Sequence, residues 1–256
     1  NFLFFSRSVF RCVLGNDLVM ITIVQGTPGS GKSSVATVDM LESLMAGHVV
    51  ACNYDLVPDW SVQLAKLNPK VRWGFKREKD VANDYFKRAF KIGTADTISQ
   101  LSKDISLLAK GKASTLREGR GRLYLDEAQL MFNSRNWKDN MGFIEFFTQH
   151  RKLGWDIFLI AHSIGMIDKQ IRDLIEYETR LRNMAMVKFL GVIPLARKNS
   201  PLFFAITRYA GISAGSGEIA FRRLYTLRKA YSALYDSMEI FAFNKSSVDV
   251  KPQGRK

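Results

Sequence analysis

Nine consecutive residues, Gly26-Thr27-Pro28-Gly29-Ser30-Gly31-Lys32-Ser33-Ser34, carry the most chemically specific pattern in the chain. The first eight fit G-x-x-x-x-G-K-[ST], in which glycines let backbone N–H groups turn inward around phosphates at the start of a helix. Lys32 is the cation for β- and γ-phosphates, and the Ser33 hydroxyl is a Mg²⁺ ligand. Gly26 to Ser34 is therefore the expected nucleotide-binding set, with ATP and Mg²⁺ as cofactors. About 100 residues later, Leu123-Tyr124-Leu125 runs into Asp126-Glu127. Asp126 is expected to hold Mg²⁺ through water, and Glu127 to orient and polarise an attacking water. An Asp-Glu pair points to ATPases whose catalytic glutamate adjoins the metal-site aspartate. The guanine-specifying Asn-Lys-x-Asp motif is absent.

Two further candidates complete the chemistry. His162, with Ser163, ends an apolar run at Asp156–Ala161, where a γ-phosphate sensor belongs; a structurally satisfied histidine is the competing reading. Arg151 heads a group with Arg172, Arg180 and Arg182. It is the first candidate for an arginine finger supplied across the boundary of a homo-oligomer, with Arg180 and Arg182 next. The competing reading of Arg151 is a cation at a helix C-terminus.

Elements must hold these groups in place. Met20–Val24 reads as a buried strand before the glycine-rich loop, and Val35, Val38, Leu41 and Leu44 repeat at helical spacing after it. Gly47 stops that helix, and His48–Asn53 is a second strand. Asn53 faces a ligand or sits in a turn. Residues 54–121 read as a mostly helical, basic insertion, with an apolar stripe Val81, Tyr85, Phe86, Phe90 and a second helix over Thr97–Lys110. Gly111–Arg122 is a basic loop. A helix over Asp139–Leu153 and a short amphipathic one through Ile167, Ile171, Leu174 and Ile175 follow. Beyond them Met184–Leu190, Leu202–Tyr209 and Glu218–Tyr225 read as strands. The fold class is a three-layer α/β P-loop NTPase with a mainly parallel sheet. A β-rich C-terminal portion extends that sheet antiparallel or stands as an appendage. The expected divisions are 1–19, the core 20–183, the extension 184–242 and a basic tail 243–256.

The chain has 256 residues, 46% hydrophobic, with a net charge of +14. That composition supports a sizeable core and argues against global disorder. The charge suits an acidic partner: nucleic acid, an anionic membrane face or nucleotide alone. Cys12 and Cys52 lack metal or redox spacing, which fits a reducing, cytosolic compartment. No apolar run reaches the roughly 18 residues of a membrane span. Residues 1–19 mix Phe2, Leu3, Phe4 and Phe5 with Arg7 and Arg11. They are expected to be a leader or upstream extension ahead of a start at Met20, against a signal peptide or a membrane-surface segment.

Several blocks beyond the nucleotide motifs are similar to one family. They are His150-Arg151-Lys152-Leu153-Gly154-Trp155-Asp156-Ile157, Ile167-Asp168-Lys169-Gln170-Ile171-Arg172 and Leu234-Tyr235-Asp236-Ser237. With the glycine-rich loop, Asn53 and Leu125-Asp126-Glu127-Ala128-Gln129, they resemble the Zot-domain proteins, which include the assembly ATPases of filamentous bacteriophages. The resemblance covers about residues 20–240. It implies ATP hydrolysis at the cytoplasmic face of the bacterial inner membrane, coupled to virion assembly and extrusion. It implies coat and envelope-spanning assembly proteins as partners; the basic segments Lys110–Arg122 and Lys251–Lys256 are expected to face the anionic membrane surface, and contact with the phage DNA complex is a further expectation. The family commonly carries Gln where His162 stands, and a membrane span usually follows its ATPase domain. Two rival functions share the motor core: a DNA-translocating or packaging ATPase, and a nucleotide-gated scaffold that does not hydrolyse.

Overall fold

A computed structural model describes residues 20–92, 120–132, 137–184, 188–189, 193–194, 202–210, 218–226, 229–232 and 234–235. The expectations for 1–19, Thr97–Lys110, most of the basic loop Gly111–Arg122 and the tail fall outside these residues.

Apolar, β-branched residues make the sheet. Strand β1 (Ile21–Gln25) leads into the glycine-rich loop, and helix α1 (Lys32–Ala46) leaves it. Gly47 ends α1 in a left-handed conformation, φ 100°, its N–H bonded to the carbonyl of Leu44. Strand β2 (Val49–Cys52) follows. Then come helices α2 (Trp60–Leu67), α3 (Pro69–Arg72) and α4 (Glu78–Arg88) and a short edge strand β3 (Ala89–Lys91). Here the sequence reading needs correction: Phe90 does not continue the helical stripe of Val81 and Tyr85. The chain turns extended at Ala89 and pairs parallel with β2.

Strand β4 (Gly121–Leu125) ends at the acidic pair, followed by α5 (Ala128–Met131) and α6 (Trp137–Leu153). Strand β5 (Trp155–Ala161) is buried along its whole length. A 3₁₀ turn (Ile164–Met166) and α7 (Lys169–Arg172) lead to β6 (Tyr177–Asn183). A two-stranded hairpin pairs β7 (Lys188–Phe189) with β8 (Ile193–Pro194). Strands β9 (Leu202–Tyr209) and β10 (Ile219–Thr226) and helix α8 (Lys229–Ser232) close the described chain.

The main sheet has eight strands in the order β10-β9-β6-β1-β5-β4-β2-β3. The six from β6 to β3 are parallel, while β9 and β10 add antiparallel at the β6 edge. The C-terminal portion thus extends the same sheet. Strand β6 was not among the expected strands; of the expected Met184–Leu190, Lys188–Phe189 form β7, and residues 185–187 and 190 lie outside the described residues. Tyr177, Thr179 and Leu181 point inward, alternating with Glu178, Arg180 and Arg182. That period of two marks a half-buried strand, but its charges hide it from a search for apolar runs.

Alternation also sorts the core into two layers. Val24, Tyr124, Phe158 and Ile160 pack with α1, α2 and α4 on one face. Ile21, Ile23, Leu123, Leu125 and Leu159 pack with α5, α6 and α7 on the other. Each fully buried Leu or Ile contributes roughly 1.5–3 kcal/mol relative to exposure. Between α1 and the sheet lies one buried polar cluster. Arg122 Nη1 donates to Ser43 Oγ at 2.7 Å and lies 3.6 Å from Asp39. Its Nε is 3.5 Å from Asp156, and the Tyr124 hydroxyl donates to Asp39 at 2.6 Å. Burial alone would drive the Arg122 guanidinium toward neutrality; Tyr124, Asp39 and Asp156 around it reverse that and hold it charged.

Candidate nucleotide site at the strand ends

Strand β5 lies between the loop strand β1 and the acidic strand β4. In a parallel sheet this brings three strand ends to one edge: the glycine-rich loop, His162 and Asp126-Glu127.

The loop is shaped by its neighbours as much as by its glycines. Gly31 has φ 85°, and a Cβ there would lie 2.2 Å from the Phe203 ring of β9. A Cβ on Gly26 would meet Ser30 Oγ at 2.6 Å and the Leu181 carbonyl at 2.7 Å. Both positions demand glycine, for backbone conformation at Gly31 and for space at both. The Ser30 side-chain oxygen is buried with no hydrogen-bond partner among the described residues.

Lys32 is buried, its ammonium donating to the carbonyls of Gly26 at 2.9 Å and Thr27 at 3.2 Å. Burial lowers its pKa, opposed by Glu127 and Asp126. His162 Nδ1 stands 3.4 Å from Lys32 Nζ, and its Nε2 is 3.5 Å from Glu127 Oε2. The imidazole therefore bridges the loop lysine and the acidic strand.

Asp126 is buried. Burial raises its pKa, while hydrogen bonds from the Ser33 hydroxyl, the Glu127 N–H and the Tyr235 hydroxyl pull it down. Ser33 and Asp126, the expected metal pair, are thus in direct contact. Glu127 follows in a left-handed conformation, φ 51° and ψ 40°, with its N–H on Asp126 Oδ1 at 2.9 Å. Gln129 donates its side-chain amide to the Glu127 carboxylate.

Some supporting residues escaped the sequence reading. Asn53, read as facing a ligand or sitting in a turn, clamps the Asp126 peptide with its side-chain amide. Nδ2 donates to the Asp126 carbonyl and Oδ1 accepts from the Asp126 N–H, both at 2.8 Å. Tyr235 reaches Asp126 Oδ2 at 3.3 Å through a bridge between Leu56 and Tyr235. This contact gives the Leu-Tyr-Asp-Ser block a place beside the acidic strand. Glu178 Oε1 accepts from both Gln25 and Arg180, while Gln25 Oε1 accepts the Ile164 N–H at 3.0 Å. This chain ties β6, the root of the loop and the turn after His162 together. Nothing in the residue types alone signals it.

Arg180 and Arg182 line an open cleft of about 640 Å³ with Thr27, Pro28 and His162. Arg151 is not brought to the site. It sits in the last turn of α6, before β5, where its guanidinium pairs with Glu176 at 2.7 Å. The seven residues of β5 separate it from the loop by roughly 20 Å. His150 accompanies it, 3.9 Å from the same glutamate. The His-Arg-Lys block therefore fastens α6 to the start of β6.

The residues present fit a Mg²⁺–nucleotide. The loop tolerates no side chain at its two tight glycines, and a lysine and a serine–aspartate pair converge beside it. Among the described residues no group of three or more His, Cys, Asp and Glu could hold a metal unaided. Mg²⁺ usually keeps only one or two protein ligands beside phosphates and water.

The family model for zonular occludens toxin (Zot) matches residues 20–207. The chain belongs to the Zot family. Its relatives include the Gene 1 protein of Enterobacteria phage fd, 28% identical over 235 residues, covering 89% of this chain and 62% of the relative. The Gene 1 protein of Escherichia phage If1 is 30% identical over 233 residues, covering 87% and 59%. The chain thus spans about 60% of the length of these relatives. Among solved structures, the N-terminal domain of zonular occludens toxin from Neisseria meningitidis aligns at 17% identity and a TM-score of 0.41. It covers 86% of this chain and all of that one. B204, the DNA-packaging ATPase from Sulfolobus Turreted Icosahedral Virus, aligns at 12% identity and 0.44, covering 80% and 96%.

Proposed function

We propose that the chain is the ATP-binding and ATP-hydrolysing part of a motor for filamentous phage assembly and extrusion. The observation that carries this reading is the meeting of Lys32, His162, Glu127 and the Ser33–Asp126 pair at one edge of the sheet. Bound Mg²⁺–ATP would supply the γ-phosphoryl group and a divalent charge to neutralise it. Gly26 to Ser34 cradle the phosphates with backbone N–H groups. The Lys32 ammonium leaves the loop carbonyls for the phosphate oxygens, a stronger charge-assisted partner. Ser33 and Asp126 hold the metal, with Asn53 and Tyr235 fixing the aspartate. Glu127 takes a proton from the attacking water. His162, already between Lys32 and Glu127, senses whether the terminal phosphate is present.

Arg180 adds positive charge from the same subunit, whereas the finger expected from the sequence, Arg151 first and Arg180 and Arg182 next, acts across the subunit boundary. The motor works as a homo-oligomer at the cytoplasmic face of the inner membrane, with coat and envelope-spanning assembly proteins and the phage DNA complex as partners. Among the described residues no helix is long and apolar enough to cross a membrane. The direct test is Lys32→Ala. It should abolish ATP turnover and weaken nucleotide binding in a protein with an unchanged circular dichroism spectrum. Unaltered affinity and turnover in that folded variant would remove the nucleotide assignment.

A further inference from the structure

The tip between α3 and α4 lies beside the end of α1 that is far from the phosphate loop, next to a groove lined by Met45 and Gly47. From Pro69 to Arg77 every residue except Val71 is exposed. Trp73 is 68% exposed and Phe75 75%, more than any other large apolar side chain among the described residues. Gly74 between them takes φ 75°, a left-handed turn that thrusts both rings outward. The tip is also closed on itself. The N–H groups of Trp73, Gly74 and Lys76 bond to the carbonyls of Pro69, Val71 and Lys70 at 2.9–3.0 Å. Exposed cations flank it on both sides: Lys70 and Arg72 before, Lys76 and Lys79 after. Arg77 is paired with Asp80 at 2.9 Å.

We propose that this tip docks on an anionic lipid bilayer. Trp73 and Phe75 enter the headgroup region, and Lys70, Arg72, Lys76 and Lys79 meet the headgroup charges. Two observations favour a bilayer over nucleic acid. The rings stand edge to face, 86° apart with centroids 6.3 Å apart, so they offer no parallel faces on which successive bases could stack. Internally bonded amides at the tip lower the cost of entering a poorly hydrated layer. The groove of about 570 Å³ beneath the tip shares Trp73, Lys70 and Lys76 with it, and its Asp80 and Asp84 are paired with Arg77 and Arg88, so the basic side chains at the tip are left to face an anionic surface. Amphipathic aromatics ringed by bases suit that interface.

The test uses the 256-residue chain with sedimenting vesicles of phosphatidylcholine alone or mixed with phosphatidylglycerol. Binding should require phosphatidylglycerol and fall at least about tenfold in Trp73→Ala/Phe75→Ala, and as far in Lys70→Glu/Lys76→Glu. Brominated phosphatidylglycerol should quench tryptophan emission. In a Trp137→Phe background, Trp73→Phe should keep most of the binding and lose that quenching, because the two tryptophans then left, Trp60 and Trp155, are buried. Undiminished vesicle binding by both double variants, or quenching that persists in Trp73→Phe/Trp137→Phe, overturns the proposal. So does absence of vesicle binding together with a single-stranded oligonucleotide complex that Trp73→Ala/Phe75→Ala abolishes. ATP turnover without vesicles should be unchanged in every variant, so the result stands apart from the reading of the nucleotide site.

Discussion

Glu127 occupies a left-handed backbone conformation that a residue with a Cβ seldom takes, at a cost of order 1 kcal/mol. Local bonds hold it there: its N–H binds Asp126 Oδ1, and Gln129 holds its carboxylate. The strain sits where aim matters most. Tyr235 performs the matching service for Asp126. Its hydroxyl is 3.3 Å from Oδ2, while its ring packs edge-on against Tyr54 with centroids 5.5 Å apart. Tyr235→Phe keeps the ring and removes the hydroxyl. Groups that orient a metal ligand are worth about 10–100-fold in metal affinity, and at this length the lower figure applies. The Mg²⁺ concentration giving half-maximal turnover should rise about tenfold, with metal-free nucleotide binding unchanged. An unshifted Mg²⁺ requirement would reduce Tyr235 to a packing residue.

Elements explain which parts were legible in the sequence. The glycine-rich loop is written in local chemistry, with an apolar strand before it and a 3.6-residue apolar repeat after it. Strand β5 is an unbroken apolar run. Strand β6 escapes the sequence reading because Glu178, Arg180 and Arg182 occupy its outer face. Phe90 was misread because a helix and an edge strand abut at Ala89, and one aromatic fits either. The roles of Asn53, Gln25 and Tyr235 come from partners 73, 139 and 109 residues away, a separation no local pattern encodes.

The buried brace between α1 and the sheet has a consequence for pH. Burial pushes Asp156 up to about 6 from an ordinary 3.8, against the pull of Arg122. The folded chain therefore binds a proton that the unfolded chain releases until near pH 4. Between these values folding takes up a proton, so this group's contribution is greatest below about pH 4 and is lost as pH rises past 6. The loss amounts to roughly 2–3 kcal/mol. Asp156→Asn should remove that slope. The stability of the variant relative to the unsubstituted protein, from urea unfolding, should be more favourable at pH 8 than at pH 5. The opposite trend would mean that the pair with Arg122 outweighs burial.

At the scale of the molecule, the strands β6, β9 and β10 that end the main sheet are more than an appendage. Phe203 of β9 fills the space beside Gly31, and β6 carries Arg180 to the cleft. The arginines divide accordingly. Arg180→Ala should lower turnover at least about tenfold, and Arg151→Ala should keep it within about threefold, given the 10³–10⁵ that a well-placed arginine adds in related ATPases. Mixing Arg180→Ala subunits with Lys32→Ala subunits should restore nothing if Arg180 acts within its own subunit; rescue would assign it to a neighbour. Turnover per subunit should still rise with protein concentration, as an oligomeric motor requires, and a flat dependence through the monomeric range would contradict that.

All of this depends on hydrolysis taking place at the strand ends. Glu127→Gln preserves the side chain's size and removes its charge. The decisive measurement is ATP binding and ATP turnover on one preparation of that variant. Binding should remain while turnover falls by about 10²–10⁴. Turnover within about threefold of the unsubstituted protein would contradict Glu127 as the base and, with it, the account of the site.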